Sequence, residues 1–167
     1  RVDYHVAPSS RKALGLIAQA FYGTDKLCPK VVGSTGTNGK TTITYLLEHL
    51  FTGVGETVGV IGTVEYRRPG HSENASLTTP GCLELHRLLA DMQAHGVSLA
   101  VMEVASHALD QERVAGIDYS AGVLTNVTQD HLDYHGDMEH YFQAKARLFR
   151  TPEQGGVPLA GKARVIN

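Results

Sequence analysis

The feature that most constrains the fold is an alternation of short apolar runs with longer amphipathic segments along the chain. Four runs have the composition of buried strands: KVVGS (30–34), TVGVIGTV (57–64), VSLAVMEV (97–104) and YSAGVLTN (119–126). Helical patterns accompany them at 39–51, at about 81–95, in a short stretch containing SHALDQERV, and near 137–150. Strands that alternate with helices of this length predict an α/β fold, in which a parallel sheet carries helices on both faces.

Local signals sharpen this prediction. Ser9-Ser10 before RKALGLIAQAFYG predicts a capped helix that ends at Gly23. The polar segment 65–81 is interpreted as a loop, whereas ARVIN at 163–167 starts like a further strand. Within the helical and strand patterns, apolar side chains are assigned to buried faces: Ile43, Leu46, Leu47 and Leu50 on one helix face, and Leu99, Val101 and Met102 in the core.

Composition limits the partners of the chain. With 167 residues, 42% of them hydrophobic, the chain is expected to form one domain around one core. A formal net charge of −2 gives no general basic field, so nucleic acid and anionic membranes are not expected as partners. Cys28 and Cys82 lack CxxC spacing and no apolar run has membrane-spanning length, which favours a reduced, cytoplasmic protein with inert thiols.

The segment VVGSTGTNGKTT (31–42) has the chemistry of a phosphate-binding loop. Gly36 and Gly39 allow successive backbone N–H groups to point inward, and the following helix adds its positive end. Lys40 would reach the phosphates, and the Thr41 hydroxyl would bind Mg²⁺. The standard pattern requires its first glycine at position 34, where this chain has serine. A glycine-rich turn without a ligand is the alternative.

Other polar residues fall where predicted parallel strands end, and ligands bind there in such sheets. Glu103 ends an apolar strand, where a carboxylate needs a partner, so a Mg²⁺-facing role is favoured over a surface ion pair. In DHLDYHGD (130–137), His131 and His135 are spaced i,i+4 with Asp133 between them, so zinc remains an alternative to histidines on a solvated loop. Lys145, judged on composition alone, is interpreted as a surface lysine.

Five segments together resemble the central, ATP-binding domain of the Mur ligase family, whose members assemble the peptide stem of bacterial peptidoglycan. They occur in order as GTNGKTT (36–42), LTTPG (77–81), MEVASHAL (102–109), TNVTQDHLDYHGDMEHY (125–141) and AKARLF (144–149). The DHLDYHG segment is most similar to the UDP-N-acetylmuramoyl-tripeptide synthetase branch, which adds the third stem residue. The resemblance extends from about residue 10 to the end of the chain.

The resemblance implies roles for individual residues. ATP phosphates would be bound by the loop residues Gly36, Thr37, Asn38, Gly39, Lys40, Thr41 and Thr42. Thr41 and Glu103 would lie near one Mg²⁺ and His131 near a second, and Lys145 would be an N-carboxylated lysine that faces a metal. Catalysis would depend on Lys40, His131 and Lys145. Substrate contacts would come from Thr78, Thr79, Ser106, Gln111 and Arg113, although Ala105 and Leu77 depart from the family's usual residues.

The resemblance also implies an organisation and an activity. Residues 1–24 would be a linker or the end of a preceding domain, 25–167 the front part of the central domain, and the C-terminal ligase domain would be absent. The intact enzyme would be a cytoplasmic, ATP- and Mg²⁺-dependent carbon–nitrogen ligase that joins an amino acid to a UDP-muramoyl dipeptide through an acyl phosphate. Such a fragment is expected to be inactive alone. A stand-alone nucleotide-binding module and a metal-dependent hydrolase are the alternative functions.

Overall fold

The structure, a computed structural model, describes residues 6–25 and 29–167 and places seven strands in one sheet. The strands are β1 (Lys30–Thr35), β2 (Val58–Ile61), β3 (Glu65–Arg68), β4 (His71–Asn74), β5 (Leu99–Glu103), β6 (Tyr119–Leu124) and β7 (Leu159–Ile166). The helices are α1 (Ser10–Tyr22), α2 (Lys40–Gly53), α3 (Cys82–Ala94), α4 (Ser106–Asp110), α5 (Leu132–His135) and α6 (Met138–Ala146). Two 3₁₀ turns follow α6, at Arg147–Phe149 and Pro152–Gln154.

The sheet has the order β4-β3-β2-β5-β1-β6-β7, and its five strands from β2 to β7 are parallel. Strand β1 lies between β5 and β6, with Val32 opposite Val101 on one side and Ala121 on the other. The carboxyl ends of these strands therefore meet at one edge, where their loops lie close together. The predicted α/β fold is confirmed, and the predicted final strand is present as β7.

The segment 65–81, interpreted from its sequence as a loop, begins with an antiparallel hairpin of β3 and β4 at the edge of the sheet. Its residues are polar and give no apolar alternation, so the usual strand signal is missing. The hairpin is joined to α2 because Arg67 pairs with Glu48 and lies 4.6 Å from the centre of the Tyr45 ring. Arg68 joins it to α3 through an ion pair of 2.6 Å with Asp91. These contacts depend on residues distant in sequence.

Apolar side chains cover both faces of the sheet. On one face, α3 contributes four fully or nearly fully buried side chains, Leu85, Leu88, Leu89 and Met92, which pack in one cluster with Met102 of β5. On the other face, Val32, Val58, Leu99 and Val101 pack against Leu47 and Phe51 of α2. The predicted core positions at 99, 101 and 102 are therefore confirmed. This packing fixes the position of α2 on the sheet. The first residue of α2 follows directly on the glycine-rich loop, so the loop is positioned as well.

The buried face of α2 differs from the predicted one. Leu46 and Leu50 are 52% and 62% exposed, so they do not face the sheet. Thr44, Leu47 and Phe51 form the stripe that does, and the Thr44 hydroxyl is satisfied by donating to the Lys40 carbonyl at 2.9 Å. Thr44 is polar and is not counted in an apolar pattern. The sequence therefore predicted a buried face centred on Leu46 and Leu50, one residue before the observed Leu47 and Phe51.

Helix α1 has the predicted ends. The Ser9 hydroxyl accepts a hydrogen bond from the Lys12 backbone N–H at 3.2 Å, and Gly23 ends the helix with φ of 69°. The helix packs against α3, and Gln19 donates to the Gly116 carbonyl at 2.8 Å. In the part of the chain that the structure describes, no helix is both long and apolar enough to span a bilayer. Cys82 is a buried free thiol, and Cys28 lies outside the described residues.

Candidate functional site

The candidate site is built from four loops at the carboxyl ends of β1, β2, β5 and β6. The glycine-rich loop after β1 carries residues 36–39, and its last glycine, with φ of 84°, is the N-cap of α2. The loop after β2 brings Thr63, β5 ends with Glu103, and the loop after β6 brings Thr125 to His131. The sequence placed functional residues at the ends of β1, β5 and β6, but not at the end of β2.

The glycine-rich loop is fastened to the loop after β6. The Thr37 backbone N–H donates to the Asn126 carbonyl at 3.0 Å, and Asn38 exchanges hydrogen bonds with the Asn126 side-chain amide. The Thr125 hydroxyl donates to the Asn38 carbonyl at 2.6 Å. Gly36 is required at its position, because a Cβ there would overlap the Thr125 hydroxyl and because its φ is 152°. The loop is thus preorganised before any ligand binds.

Two lysine side chains converge on one backbone carbonyl in this loop. The Nζ atoms of Lys40 and Lys145 each lie 2.9 Å from the Gly36 oxygen, and Lys40 also donates to the Thr37 oxygen at 2.9 Å. Lys145 is only 2% exposed, and its Nζ lies 4.3 Å from the centre of the Tyr141 ring. The composition-based interpretation of Lys145 as a surface lysine is therefore wrong. Lys145 lies beside the loop because α6 packs against it, and this tertiary contact cannot be predicted from the local composition.

The two ammonium groups have lowered pKa values for related reasons. The pKa of Lys145 is lowered to about 7, chiefly by burial and also by the neighbouring charge of Lys40, while Asp130 opposes the change. Burial also lowers the pKa of Lys40, against the opposing effects of Glu103 and Asp130. An anion bound between the two lysines would relieve both penalties. This electrostatic arrangement is that of an anion site.

Lys145 should make stability depend on pH. Its folded pKa of about 7 lies below the ordinary value of 10.5, so between these values the unfolded chain holds a proton that the folded chain has released. The free energy of unfolding should therefore rise with pH across this window, by at most about 1.4 kcal/mol per pH unit from this one group. Lys145→Met should remove that rise.

The measurement is urea unfolding of the chain at several pH values from 6 to 10. The Lys145→Met variant should gain most stability over the wild type near pH 7 and lose this advantage towards pH 10. Lys12→Met changes an exposed lysine of α1 and should leave the slope as it is. A constant difference between Lys145→Met and the wild type at every pH would refute the lowered pKa.

Glu103 is 1% exposed, and three hydrogen bonds satisfy its carboxylate. Its Oε1 accepts from the Thr41 hydroxyl and from the Thr63 backbone N–H, both at 2.9 Å. Its Oε2 lies 3.0 Å from the Thr63 hydroxyl. The acid and the loop threonine that the sequence assigned to Mg²⁺ are therefore in direct contact. A carboxylate and a hydroxyl brought together beside a phosphate loop are oxygen donors of the kind that Mg²⁺ binds.

The chemistry of these donors fits a Mg²⁺-bound nucleotide phosphate. Two cationic side chains lie beside backbone N–H groups at the start of α2, and one anionic carboxylate lies next to the Thr41 hydroxyl. At the end of β1, the hydroxyls of Ser34 and Thr35 are buried without a hydrogen-bond partner among the described residues. Ser34 occupies the position where the standard loop has glycine.

Most residues of the segment 130–137 are exposed, and the rings of its histidines and its tyrosine pack around His107. The His107 ring lies 4.8 Å from that of His131, 4.2 Å from that of Tyr134 and 5.4 Å from that of His135, measured between centroids. His135 is the more enclosed of the two histidines of this segment, and its Nε2 lies 3.0 Å from the Ser106 hydroxyl. Burial, together with neighbouring cationic groups, lowers the pKa values of His107 and His135.

His131 also lies near Tyr141, although the His135 ring is closer, at 5.3 Å between centroids. His131 has φ of 52° at the N-cap of α5, and its ring lies 6.2 Å from that of Tyr141, whose hydroxyl is 3.0 Å from the Thr37 hydroxyl. Its side chain is about half exposed, so it is open to a ligand. Among the described residues, no three His, Cys, Asp or Glu side chains are grouped as metal ligands. The zinc alternative therefore gains no support from this segment.

The residues assigned to the substrate lie beside Glu103 and the ring cluster. Thr79 is buried, donates to the Glu103 carbonyl at 2.9 Å and accepts from the Ala105 backbone N–H at 2.9 Å. Arg113 donates to the Thr79 carbonyl at 3.2 Å and to the Gln111 side-chain oxygen. Gln111 in turn contacts the Tyr134 hydroxyl at 3.1 Å. The other two assigned residues join the same region, since Thr78 contacts Thr63 and Ser106 contacts His135.

Sequence reasoning missed three residues of this site. Thr63 binds Glu103, Asp130 is the acid that opposes the lowered pKa of both lysines, and Tyr141 lies under the Lys145 ammonium. The GT pair at 62–63 was included in a predicted strand, although β2 ends at Ile61. The sequence signal that could have revealed Thr63 is a threonine that follows a glycine at the end of a strand. The contacts of Tyr141 had no local signal, because they depend on how α6 packs.

The chain is similar to known proteins over most of its length. The model of the family described as "Mur ligase middle domain" matches residues 35–166. Among curated relatives, the UDP-N-acetylmuramoyl-L-alanyl-D-glutamate–2,6-diaminopimelate ligase of Lawsonia intracellularis is 58% identical over 144 residues, which are 86% of this chain and 30% of the relative. The chain thus spans about 30% of the length of that relative.

Solved structures give the same family. A structure of a UDP-N-acetylmuramoyl-L-alanyl-D-glutamate–2,6-diaminopimelate ligase is similar with a TM-score of 0.76 and 35% identity, over 87% of this chain and 30% of that one. The MurF ligase of Thermotoga maritima, solved in complex with ADP, is similar with a TM-score of 0.57 and 26% identity, over 87% and 31% of the two chains. These likenesses confirm both the fold class and the resemblance seen in the sequence.

Proposed function

Because the chain belongs to the Mur ligase family, we propose that it is the front part of the ATP-binding central domain of a peptidoglycan ligase. The proposed enzyme adds the third stem amino acid to UDP-N-acetylmuramoyl-L-alanyl-D-glutamate in the cytoplasm and so serves cell wall biogenesis, cell shape and cell division. Residues 1–24 would connect it to a preceding domain. The remaining domains would complete the active site, so the chain alone is expected to be inactive.

The observation that carries the proposal is the position of the Lys40 ammonium at the start of α2, where its Nζ lies 2.9 Å from the carbonyl oxygens of both Gly36 and Thr37. A cation at the start of a helix, in a loop held by Thr125 and Asn126, favours an anion with several negative charges. A nucleoside triphosphate such as ATP is an anion with several negative charges. The complex of the Thermotoga maritima ligase with ADP supports nucleotide binding in this family.

In the proposed reaction, the terminal carboxylate of the muramoyl dipeptide attacks the γ-phosphate of ATP to give an acyl phosphate, and an amine then displaces phosphate. Lys40 offsets the negative charge of the transferred group. Thr41 and Glu103 would hold one Mg²⁺, and His131 with carboxylated Lys145 a second. When bound, Mg²⁺ supplies charge neutralisation and orientation of the phosphate oxygens.

The substrates are proposed from the relatives and from the position of the polar residues. Diaminopimelate is proposed as the amino acid because the relatives that match at 58% and 35% identity are diaminopimelate ligases by name. The muramoyl dipeptide is proposed to lie along Thr78, Thr79, Ser106, Gln111 and Arg113. The Thr79 hydroxyl is already used inside the protein, so its role would be to hold the end of β5 against the substrate.

The proposed function is tested by phosphate release from the intact ligase. Release should require ATP, the UDP-muramoyl dipeptide and diaminopimelate together. ATP affinity without dipeptide-dependent phosphate release would favour a stand-alone nucleotide-binding module. Stoichiometric zinc in protein purified without added metal would favour a metal-dependent hydrolase.

Glu103→Gln should weaken the Mg²⁺ dependence of ATP binding. The substitution preserves shape and removes the charge that favours the cation, so the Mg²⁺ concentration for half-maximal effect should rise by about 10-fold or more. Calorimetric titration of the intact ligase with ATP at a series of Mg²⁺ concentrations measures this. Glu84→Gln, at a partly exposed acid of α3, is the matched control. An unchanged Mg²⁺ titration in Glu103→Gln would leave Glu103 with a structural role only.

A further inference from the structure

Thr63 contacts the two oxygens of the Glu103 carboxylate at the same time. Its backbone N–H donates to Oε1 at 2.9 Å, and its hydroxyl lies 3.0 Å from Oε2. A carboxylate held at both oxygens by one residue cannot rotate about its terminal bond without losing a hydrogen bond. The remaining contact, from the Thr41 hydroxyl to Oε1 at 2.9 Å, fixes its distance from the phosphate loop.

The backbone at this position is shaped for the contact. Gly62 precedes Thr63, and a Cβ on Gly62 would lie 2.6 Å from the Glu103 Oε1, so a larger residue there would displace the carboxylate. The Gly62 N–H donates to the Glu65 carbonyl at 3.2 Å, which closes the turn into the β3–β4 hairpin. The hairpin itself is fastened to α2 and α3 by Arg67 and Arg68. The turn that contains Thr63 is therefore held in place by contacts with α2 and α3.

The Thr63 hydroxyl also connects the acid to the substrate side of the site, since it lies 3.1 Å from the Thr78 hydroxyl. A hydroxyl has one proton, and an ionised carboxylate can only accept. The Thr63 hydroxyl is placed to donate to either partner, and its one proton goes to Glu103 because a carboxylate is the stronger acceptor. The Thr78 hydroxyl lies close to the same Thr63 oxygen on the substrate side of the site.

We propose that Thr63 is a positioning residue that orients the Glu103 carboxylate for Mg²⁺. The inference rests on the proposed function, in which Glu103 faces the metal and Thr78 faces the dipeptide. Loss of the Thr63 hydroxyl frees Oε2 and lets the carboxylate rotate away from the orientation in which Thr41 and Glu103 converge. Binding of Mg²⁺ should weaken because its ligand is no longer preorganised.

The test compares Thr63→Val with Thr63→Ser in the intact ligase. Valine keeps the branched shape and the backbone N–H but lacks the hydroxyl, whereas serine keeps the hydroxyl. ATP affinity is measured by calorimetry as a function of Mg²⁺ concentration, with the unfolding midpoint of each variant recorded by circular dichroism. Thr52→Val, at an exposed threonine of α2, is the matched control.

Thr63→Val should raise the Mg²⁺ concentration for half-maximal effect by about 10-fold, the lower end of the range for residues that support a metal ligand. In Thr63→Ser, the Mg²⁺ concentration for half-maximal effect should stay within about 2-fold of the wild-type value. In Thr52→Val, it should equal the wild-type value. ATP binding without Mg²⁺ should be the same in all four proteins. Thr63→Ala is titrated as a second variant without the hydroxyl, so that failure of the valine variant to fold leaves the test in place.

Glu103→Gln separates the two levels of the proposal. If Glu103→Gln shifts the Mg²⁺ titration and neither Thr63→Val nor Thr63→Ala does, the positioning role of Thr63 is refuted and the proposed function stands. If Glu103→Gln also leaves the Mg²⁺ titration unchanged, the proposed metal-binding role of Glu103 is refuted, and the positioning role of Thr63 is refuted with it. A shift of equal size in Thr63→Val and Thr63→Ser would also overturn the inference, because serine preserves the hydroxyl.

Discussion

Lys40→Ala should reduce the affinity of the intact ligase for ATP by at least about 100-fold, because an ammonium that donates to two phosphates contributes charged hydrogen bonds of about 1.5–3 kcal/mol each. In the structure, the Lys40 ammonium already lies over the loop, 2.9 Å from the carbonyls of Gly36 and Thr37. A phosphate in the loop would take the place of these weaker partners. Alanine leaves a site with Lys145 as its remaining nearby lysine.

Calorimetric titration with ATP measures this effect. Lys30→Ala, at an exposed lysine that begins β1, should bind ATP like the wild type and controls for the loss of one positive charge. Because Lys40 lies in a partly buried position, the unfolding midpoint of the variant should be measured with the affinity. Affinity of a folded Lys40→Ala variant equal to that of the wild type would rule out the phosphate-binding role of the loop.

Lys145→Ala should lower the rate of the intact ligase by at least about 100-fold, in the range found when a group that stabilises charge in the transition state is removed. The proposed active form is a carboxylated lysine, in which the amine nitrogen bonds to the carbon of CO₂ and one proton is released. This step needs a neutral amine, and burial lowers the pKa of Lys145 to about 7, so neutral amine is abundant at pH 7–8.

Rescue by a small acid distinguishes this role from a structural one. Alanine leaves a cavity where the buried side chain was, beside the Gly36 carbonyl, so added acetate or propionate should restore part of the rate. Lys145→Met fills that cavity with a neutral chain and should be inactive with or without the acid. Lys12→Ala should retain full activity. Equal rates in Lys145→Ala and the wild type, or rescue of both variants by the acid, would contradict the proposal.

Local patterns predicted much of the fold and the phosphate loop. Buried parallel strands are short apolar runs, so β1, β5 and β6 were visible as such, and Gly36, Gly39 and Lys40 stand at fixed spacings in one continuous segment. These signals require no knowledge of distant residues. The same holds for the capped ends of α1.

The features that the sequence did not reveal depend on distant contacts. The polar β3–β4 hairpin is held by Arg67 and Arg68 against α2 and α3, and polar residues held in this way give no apolar alternation. Lys145 looks like a surface lysine by composition, because only the packing of α6 on the loop buries it. Thr63 and Asp130 act across the site, so their importance appears once the strand ends are assembled.

One isotope measurement tests the proposed carboxylate activation at this loop most directly. The intact ligase is supplied with ATP, diaminopimelate and UDP-muramoyl dipeptide labelled with ¹⁸O in its terminal carboxylate, and the released phosphate is analysed by mass. If the carboxylate attacks the γ-phosphate, one of its oxygens leaves with that phosphate, so each phosphate should carry one ¹⁸O atom from a fully labelled carboxylate. Phosphate released without label while the amide product forms would contradict an acyl phosphate.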